Sequence, residues 1–470
     1  MTALHDSFAA STPDKPQPNT SVTTEVARRG RAVTFSQLPD DVITVAKHCV
    51  LDWVGVTVAG SREPVTGMIR DFVLDEGGAP QATLIGTGQR VSAREAALVN
   101  GTASHALDFD DVMSAMGGHP TVPVLPAVLA VVQQEGLDGR ALIAALVAGL
   151  ETEGRVGRLV APDHYAAGWH ATGTVGTFGA AAGVAHALGL DQGQWRSALG
   201  IAGTQAAGLK SMFGTMCKPF HAGKAATNGL LAARMAQRGF TSNPDVLDVA
   251  QGFADTQTTS RNPGCALANG PDEYDSRDVL FKFHAACYFT HSSIEGITRL
   301  LADATLEPDT VQEVELRVPP QHLAACNILE PTTALEGKFS LRYTAALALS
   351  GWGTDERAFS VAMVADPALV ALRDRVRISP APELTNTHAT ETVLRTRDGR
   401  ELRTKIDMSI AARGAQELDR QWDRLVEKFV ALTVPVLGAG RADDAIQAIA
   451  GLDQLQSLDD LLDLIGDEQV

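Results

Sequence analysis

The chain has 470 residues, which is long for one simple core, so two domains are the first expectation. Its 45% hydrophobic and 20% charged content is that of an ordinary globular protein, and a net charge of −17 argues against nucleic acid and anionic membranes as partners. An anionic substrate stays open, because a local cluster of Lys, Arg and His can hold one inside an acidic protein.

The opening segment, MTALHDSFAASTPDKPQPNT, is polar and rich in Ser, Thr and Pro, and predicts a disordered tail over residues 1–22. Leu38-Pro39-Asp40-Asp41 then opens the first clear helix, with proline and early carboxylates at its start. Val42, Ala46, Cys49, Val50, Trp53 and Val54 follow at helical spacing, and Gly60 closes it. Next comes His105 to Pro126, HALDFDDVMSAMGGHPTVPVLP. It gathers Asp108, Asp110, Asp111, His105 and His119, while Gly117, Gly118, Pro120, Pro123 and Pro126 interrupt any regular element. A loop rich in acids and bases between helices suits proton chemistry. The plainer reading is a helix end whose aspartates hold backbone N–H groups.

Helical patterning resumes at Gly139 to Glu151 and at Gln192 to Gly203. Between them Gly173, Gly176, Gly179 and Gly183 punctuate an alanine-rich segment. No strand precedes them and their spacing is not that of a nucleotide loop, so close helix packing is expected. The segment GTMCKPFHAGKAA carries Lys218, His221 and Lys224, with a turn at Lys218 and a helix starting near Gly223. KFHAACYFTH carries Lys282, His284 and His291, and LEGKFSLRY carries Lys338 and Tyr343.

Beyond about residue 280 the period changes. Val314, Leu316 and Val318 alternate as in a half-buried strand, and so do Thr392, Leu394 and Thr396. Asp398-Gly399 predicts a hairpin turn into Leu402, Thr404 and Ile406. Thr344 to Leu349 reads as helix, and helical patterning returns from Glu417. The expected organisation is a helical domain over 23–281, an α+β lid over 282–416, and C-terminal helices over 417–470 that return to the helical domain.

Cys49, Cys217, Cys265, Cys287 and Cys326 form no CxxC. No cysteine or histidine pair has metal-ligand spacing, so no metal is expected. An odd cysteine count and no secretory leader point to a reducing cytoplasm. The longest apolar stretch, Ala141 to Leu150, is far short of a membrane span.

Taken in order, HALDFDD, GHPTVPVLPA, GWHATGTVGTFGAAAG, ALGIAGTQAAGL, GTMCKPFHAGKAATNGLLAA, KFHAACYFTH and EGKFSLRYTAALAL resemble the MmgE/PrpD family over roughly residues 25 to 460. That family includes 2-methylcitrate dehydratase, cis-aconitate decarboxylase and iminodisuccinate epimerase. The resemblance implies a mainly α fold: a large all-helical domain with a smaller α+β lid. It implies a homodimer, and an active site in the cleft without metal or organic cofactor. It places catalytic positions at Asp108, His119, His170, Lys218 and His291. His221, Lys282, His284, Lys338 and Tyr343 are expected to bind a small polycarboxylate. Val112 and Met113 depart from the polar residues common in the dehydratase and decarboxylase branches, which argues against a tricarboxylate and leaves room for a smaller or differently shaped acid. The chemistry implied is proton transfer α to a carboxylate. The first expectation is a hydro-lyase resembling 2-methylcitrate dehydratase. The alternatives are a cis-aconitate-type decarboxylase, an epimerase, and a catalytically silent family member.

Overall fold

The computed structural model describes residues 21–270 and 272–466, so the expected tail lies almost wholly outside the described residues. The fold is mainly α with a smaller α+β part. The helices that build the site are α1 Val22–Ala32, α2 Asp40–Gly60, α3 Ala93–Ala106, α4 Thr121–Glu135, α5 Gly139–Val160, α6 Ala171–Ala187, α7 Gln192–Gly203 and α8 Cys217–Gln237. Their apolar faces share one core with Leu418 to Ile465, from the C-terminal helices α12 Ala415–Leu437 and α13 Ala439–Ala450 and the residues after them. A second core joins α9 Tyr288–Ala304, α10 Pro320–Ala325 and α11 Leu341–Ser350 to a four-stranded sheet.

That sheet consists of β3 Val311–Val318, β4 Val376–Pro380, β5 Ala389–Thr396 and β6 Glu401–Asp407. Its order is β4-β3-β5-β6, with β3 and β4 parallel and the other pairs antiparallel. The β5–β6 turn forms at Asp398-Gly399, where Gly399 has φ +88°, a value glycine adopts at no steric cost. Two further short strands, β1 Val112–Met113 and β2 Val279–Leu280, pair antiparallel and tie the acid-rich loop to the start of the α+β part.

α6 is buried along nearly all its length, and its glycines let neighbours approach. A Cβ on Gly176 would lie 2.6 Å from Pro123 Cγ. α3 and α8 meet the same way: a Cβ on Gly101 would lie 2.8 Å from Gly223 Cα. This backbone contact brings the end of α3, with His105, alongside the start of α8, with Lys218.

Three local expectations need correction. α8 begins at Cys217, so Lys218 and Pro219 lie in its first turn and no separate turn precedes a helix at Gly223. Proline fits there because first-turn N–H groups have no intrahelical acceptor. For the same reason Pro123 sits in the first turn of α4, and that helix continues through Pro126 at the loss of one hydrogen bond. Finally, α2 is a helix long and apolar enough by composition to cross a membrane, although 78% of its apolar window is buried inside the fold. It is the central core helix here.

Candidate active site

The acid-rich loop runs from Leu107 to Pro120 and crosses the floor of a cavity of about 580 Å³. Asp108, His119, His170, Lys218 and Lys282 line the cavity from the helical side. Cys287, Tyr288, Phe339 and the Thr385–His388 loop close it from the α+β side.

Asp108 is the centre of the charge network. Its carboxylate oxygen Oδ1 lies 2.7 Å from Lys218 Nζ and 3.0 Å from Lys282 Nζ, and Lys282 also donates to the Asp108 carbonyl at 2.7 Å. All three side chains are almost fully buried. Burial alone pushes the Asp108 carboxyl up, but the two ammonium groups outweigh it and hold the group well below the usual carboxylate range. Burial pulls Lys282 down, and Asp108 and Asp110 more than restore it, so its charge is secure. Asp108 has φ +52°, a left-handed conformation that Asp tolerates better than most residues.

Asp110 orients two imidazoles. His105 Nδ1 lies 2.8 Å from its Oδ1, and His119 Nδ1 lies 2.9 Å from its Oδ2. A carboxylate can only accept, so both rings carry their proton on Nδ1. The Nε2 lone pair of His105 then accepts from Lys218 Nζ at 3.1 Å, and that of His119 is left 3.9 Å from Asp108 Oδ1. Burial lowers His105 to about 3, and lowers His119 as well, although Asp110 opposes both. The rings are therefore neutral in the empty site at physiological pH. His170 is also neutral, held far down by burial and by Lys218. Its Nδ1 pairs with His221 Nδ1 at 2.9 Å, while its buried Nε2 has no protein partner.

The plainer reading of the aspartates describes Asp111. Its carboxylate accepts from Thr121 N at 3.2 Å and from Thr121 Oγ1, which caps α4. Burial pushes it up to about 8. It holds the helix and does not face the cavity.

Other expected site residues lie behind the wall. His221 reaches the site only through its contact with His170. Lys338 Nζ donates to the Leu107 carbonyl at 2.5 Å. Tyr343 donates its hydroxyl to Ala358 O at 2.7 Å within an apolar cluster. His284 pairs with Thr354 and faces Glu295 at 3.4 Å. His291 is fully buried, packed on Tyr288 and His284, with Nδ1 unpartnered. Tyr288, against which its ring packs, lines the cavity, whereas His291 does not. Sequence reasoning passed over Asp110 and His105 as site residues, although both lie in the motif it singled out. It also missed the TNTH loop at 385–388, whose only sequence signal is a short polar run between two strands.

His105, Asp108, Asp110 and His119 do bring four ligand-type atoms within 4.8 Å of one another, contrary to the expectation from spacing. The four lie close together in the sequence, but the end of α3 and both ends of the loop meet only because the loop folds back, which pairwise ligand spacing does not display. A divalent ion there would sit against two ammonium groups already bonded to Asp108. At 4 Å each like-charge pair costs roughly 4 kcal/mol per unit charge product in a partly screened interior. The four donors are of a kind that binds divalent ions, and the opposition comes from Lys218 and Lys282.

Residues 25–266 match the MmgE/PrpD N-terminal domain and residues 284–454 match the MmgE/PrpD C-terminal domain. The chain belongs to the MmgE/PrpD family. It is similar to the cis-aconitate decarboxylase of Homo sapiens, 27% identical over 463 residues, which span 95% of this chain and 94% of the relative. It is similar to the cis-aconitate decarboxylase of Aspergillus terreus, 26% identical over 474 residues, spanning 94% and 96%. Its family is one of enzymes, and its cavity gathers buried charged side chains.

Proposed function

We propose that this protein is a cofactor-independent lyase that decarboxylates an unsaturated tricarboxylic acid of the cis-aconitate type. The observation that carries the reading is the pair of buried ammonium groups, Lys218 and Lys282, beside the carboxylate-backed His119 in one cavity. The full-length likeness to two cis-aconitate decarboxylases favours this reaction over the dehydratase first expected. Val112 and Met113 line the same cavity as Lys218 and Lys282, so both cations remain available to a tricarboxylate.

In this reading Lys218 and Lys282 take two of the substrate's carboxylates. The carboxylate on the methylene carbon leaves as CO2, and its bonding pair becomes the new C=C. The old double bond's pair takes a proton at the former vinylic CH. Trianion plus one proton gives dianion plus CO2. His119 is the proton donor: the residue lines the cavity, its Nδ1 is held by Asp110, and Asp110 stabilises the imidazolium as an orienting carboxylate does. His170 also lines the cavity, and its buried Nε2 has no protein partner. The enzyme is read as a cytoplasmic homodimer, in keeping with five free thiols and the family resemblance.

The test is incubation with cis-aconitate in D2O, followed by proton NMR. The expected product is a methylidene dicarboxylate with one deuterium on its CH2, released with CO2. Hydration of the double bond, or deuterium exchange without loss of a carboxylate, would exclude decarboxylation.

A second outcome follows from charge. In the empty site two aspartates balance two lysines, and the histidines are neutral because burial lowers them. An arriving polyanion raises those histidines, so binding takes up a proton. Affinity then weakens as pH rises. Calorimetry in two buffers of different ionisation enthalpy should show uptake of about one proton per site at pH 7, by the linkage between pKa shift and binding. Identical heats in both buffers would mean that no histidine is charged by the ligand.

A further inference from the structure

Three successive carbonyls of the site loop are each held by a different buried lysine. Lys338 donates to Leu107 O at 2.5 Å, Lys282 to Asp108 O at 2.7 Å, and Lys428 to Phe109 O at 2.6 Å. Lys428 comes from α12, far along the chain, and does not touch the cavity that holds Asp108. Its Nζ also donates to the backbone carbonyl of Lys282 at 2.9 Å and to Asp52 Oδ1 at 2.5 Å, and it lies 3.9 Å from the centroid of the Phe109 ring. One ammonium therefore ties together the loop carrying Asp108 and the backbone of Lys282, both against α2. Such an arrangement is costly. Lys428 is almost fully buried, and burial lowers it while raising its partner Asp52 to about 6.

We propose that Lys428 is a positioning residue: it holds the Phe109 and Lys282 carbonyls so that Asp108 keeps its left-handed conformation and sets both Lys218 and Lys282 against the substrate. Asp108 has φ +52° between two clamped carbonyls, and both substrate-facing lysines end on its Oδ1. Release of the Phe109 carbonyl lets that backbone relax. The ammonium groups would still bind a carboxylate, but their alignment with His119 would be lost. Misplacement by about 1 Å can cost about 10²-fold in rate. The rate effect rests on the decarboxylase reading; the effect on the backbone does not.

The experiment compares Lys428→Met with the double variant Asp52→Asn/Lys428→Met. The single variant strands Asp52 in the core, so its denaturation midpoint falls. The double variant removes that buried acid and recovers the midpoint. The expected result is that kcat is about 10–100-fold down in both, the range for loss of an orienting partner, while KM stays within about threefold. Amide hydrogen exchange over residues 107–111 is expected to be faster than in wild type in both. Recovery of kcat and of slow exchange together with the midpoint in the double variant would overturn the proposal and leave Lys428 a packing residue. If Lys428→Met does not fold, the double variant carries the comparison alone. A wild type inactive on cis-aconitate fails the decarboxylase reading, whereas wild-type-like exchange at 107–111 in the double variant fails the clamp.

Discussion

Replacing Lys218 by alanine is expected to lower turnover by about 10²–10³, the usual cost of losing one preorganised electrostatic partner of a developing charge. The first turn of α8 fixes where its Nζ sits, 2.7 Å from Asp108 and 3.1 Å from His105, at the cavity wall. Lys282 remains on the same Asp108 oxygen in the variant, so the carboxylate keeps a counter-charge and the fold should persist. Circular dichroism would check the fold and steady-state rates the turnover. A lysine that served only as an ion-pair partner would behave differently. Its loss would leave the rate of the folded enzyme within a few-fold of wild type, with the damage confined to stability.

Asp108→Asn is expected to be the most destabilising of the site substitutions. Asparagine tolerates the left-handed backbone as aspartate does, so the change isolates charge from strain. It leaves two ammonium groups buried without the carboxylate that both contact. Breaking a buried ion pair from one side costs about 3–5 kcal/mol, because the remaining charge is uncompensated. The urea midpoint should fall accordingly, and part of the loss should return as pH rises and a lysine can shed its proton. A midpoint equal to wild type would show that Lys218 and Lys282 are not held as cations by Asp108.

Much of the fold was legible from local pattern. α7 spans Gln192–Gly203 because Asp191 and Gln194 form a capping box that the sequence displays directly. The β5–β6 hairpin was readable from alternation and an Asp-Gly turn. The small-residue helix α6 was readable as a packing element for the same reason. Proline positions misled, because their meaning depends on whether they fall in a first turn, which one sequence does not display at Pro123 or Pro219. The site was legible only in part. Asp108, His119, His170 and Lys218 stand in conspicuous loops or helix starts and line one cavity. His291 and Tyr343 stand in equally conspicuous motifs yet are buried behind Tyr288 or in an apolar cluster, because the turn of a helix decides which side chains face inward. Lys428 lies in an ordinary amphipathic helix, and nothing local distinguishes it from its solvated neighbours. Its role depends on α12 packing against α2, a contact across most of the chain.

The most direct measurement is a crystal structure with propane-1,2,3-tricarboxylate, a saturated analogue that cannot lose CO2 by this route. One analogue is expected in the cavity, with separate carboxylates within about 3 Å of Lys218 Nζ and Lys282 Nζ, the distance of a charge-assisted hydrogen bond. His119 Nε2 should face the middle of its carbon chain. An analogue bound elsewhere, or bound here with both lysines still turned to Asp108 alone, would contradict this arrangement.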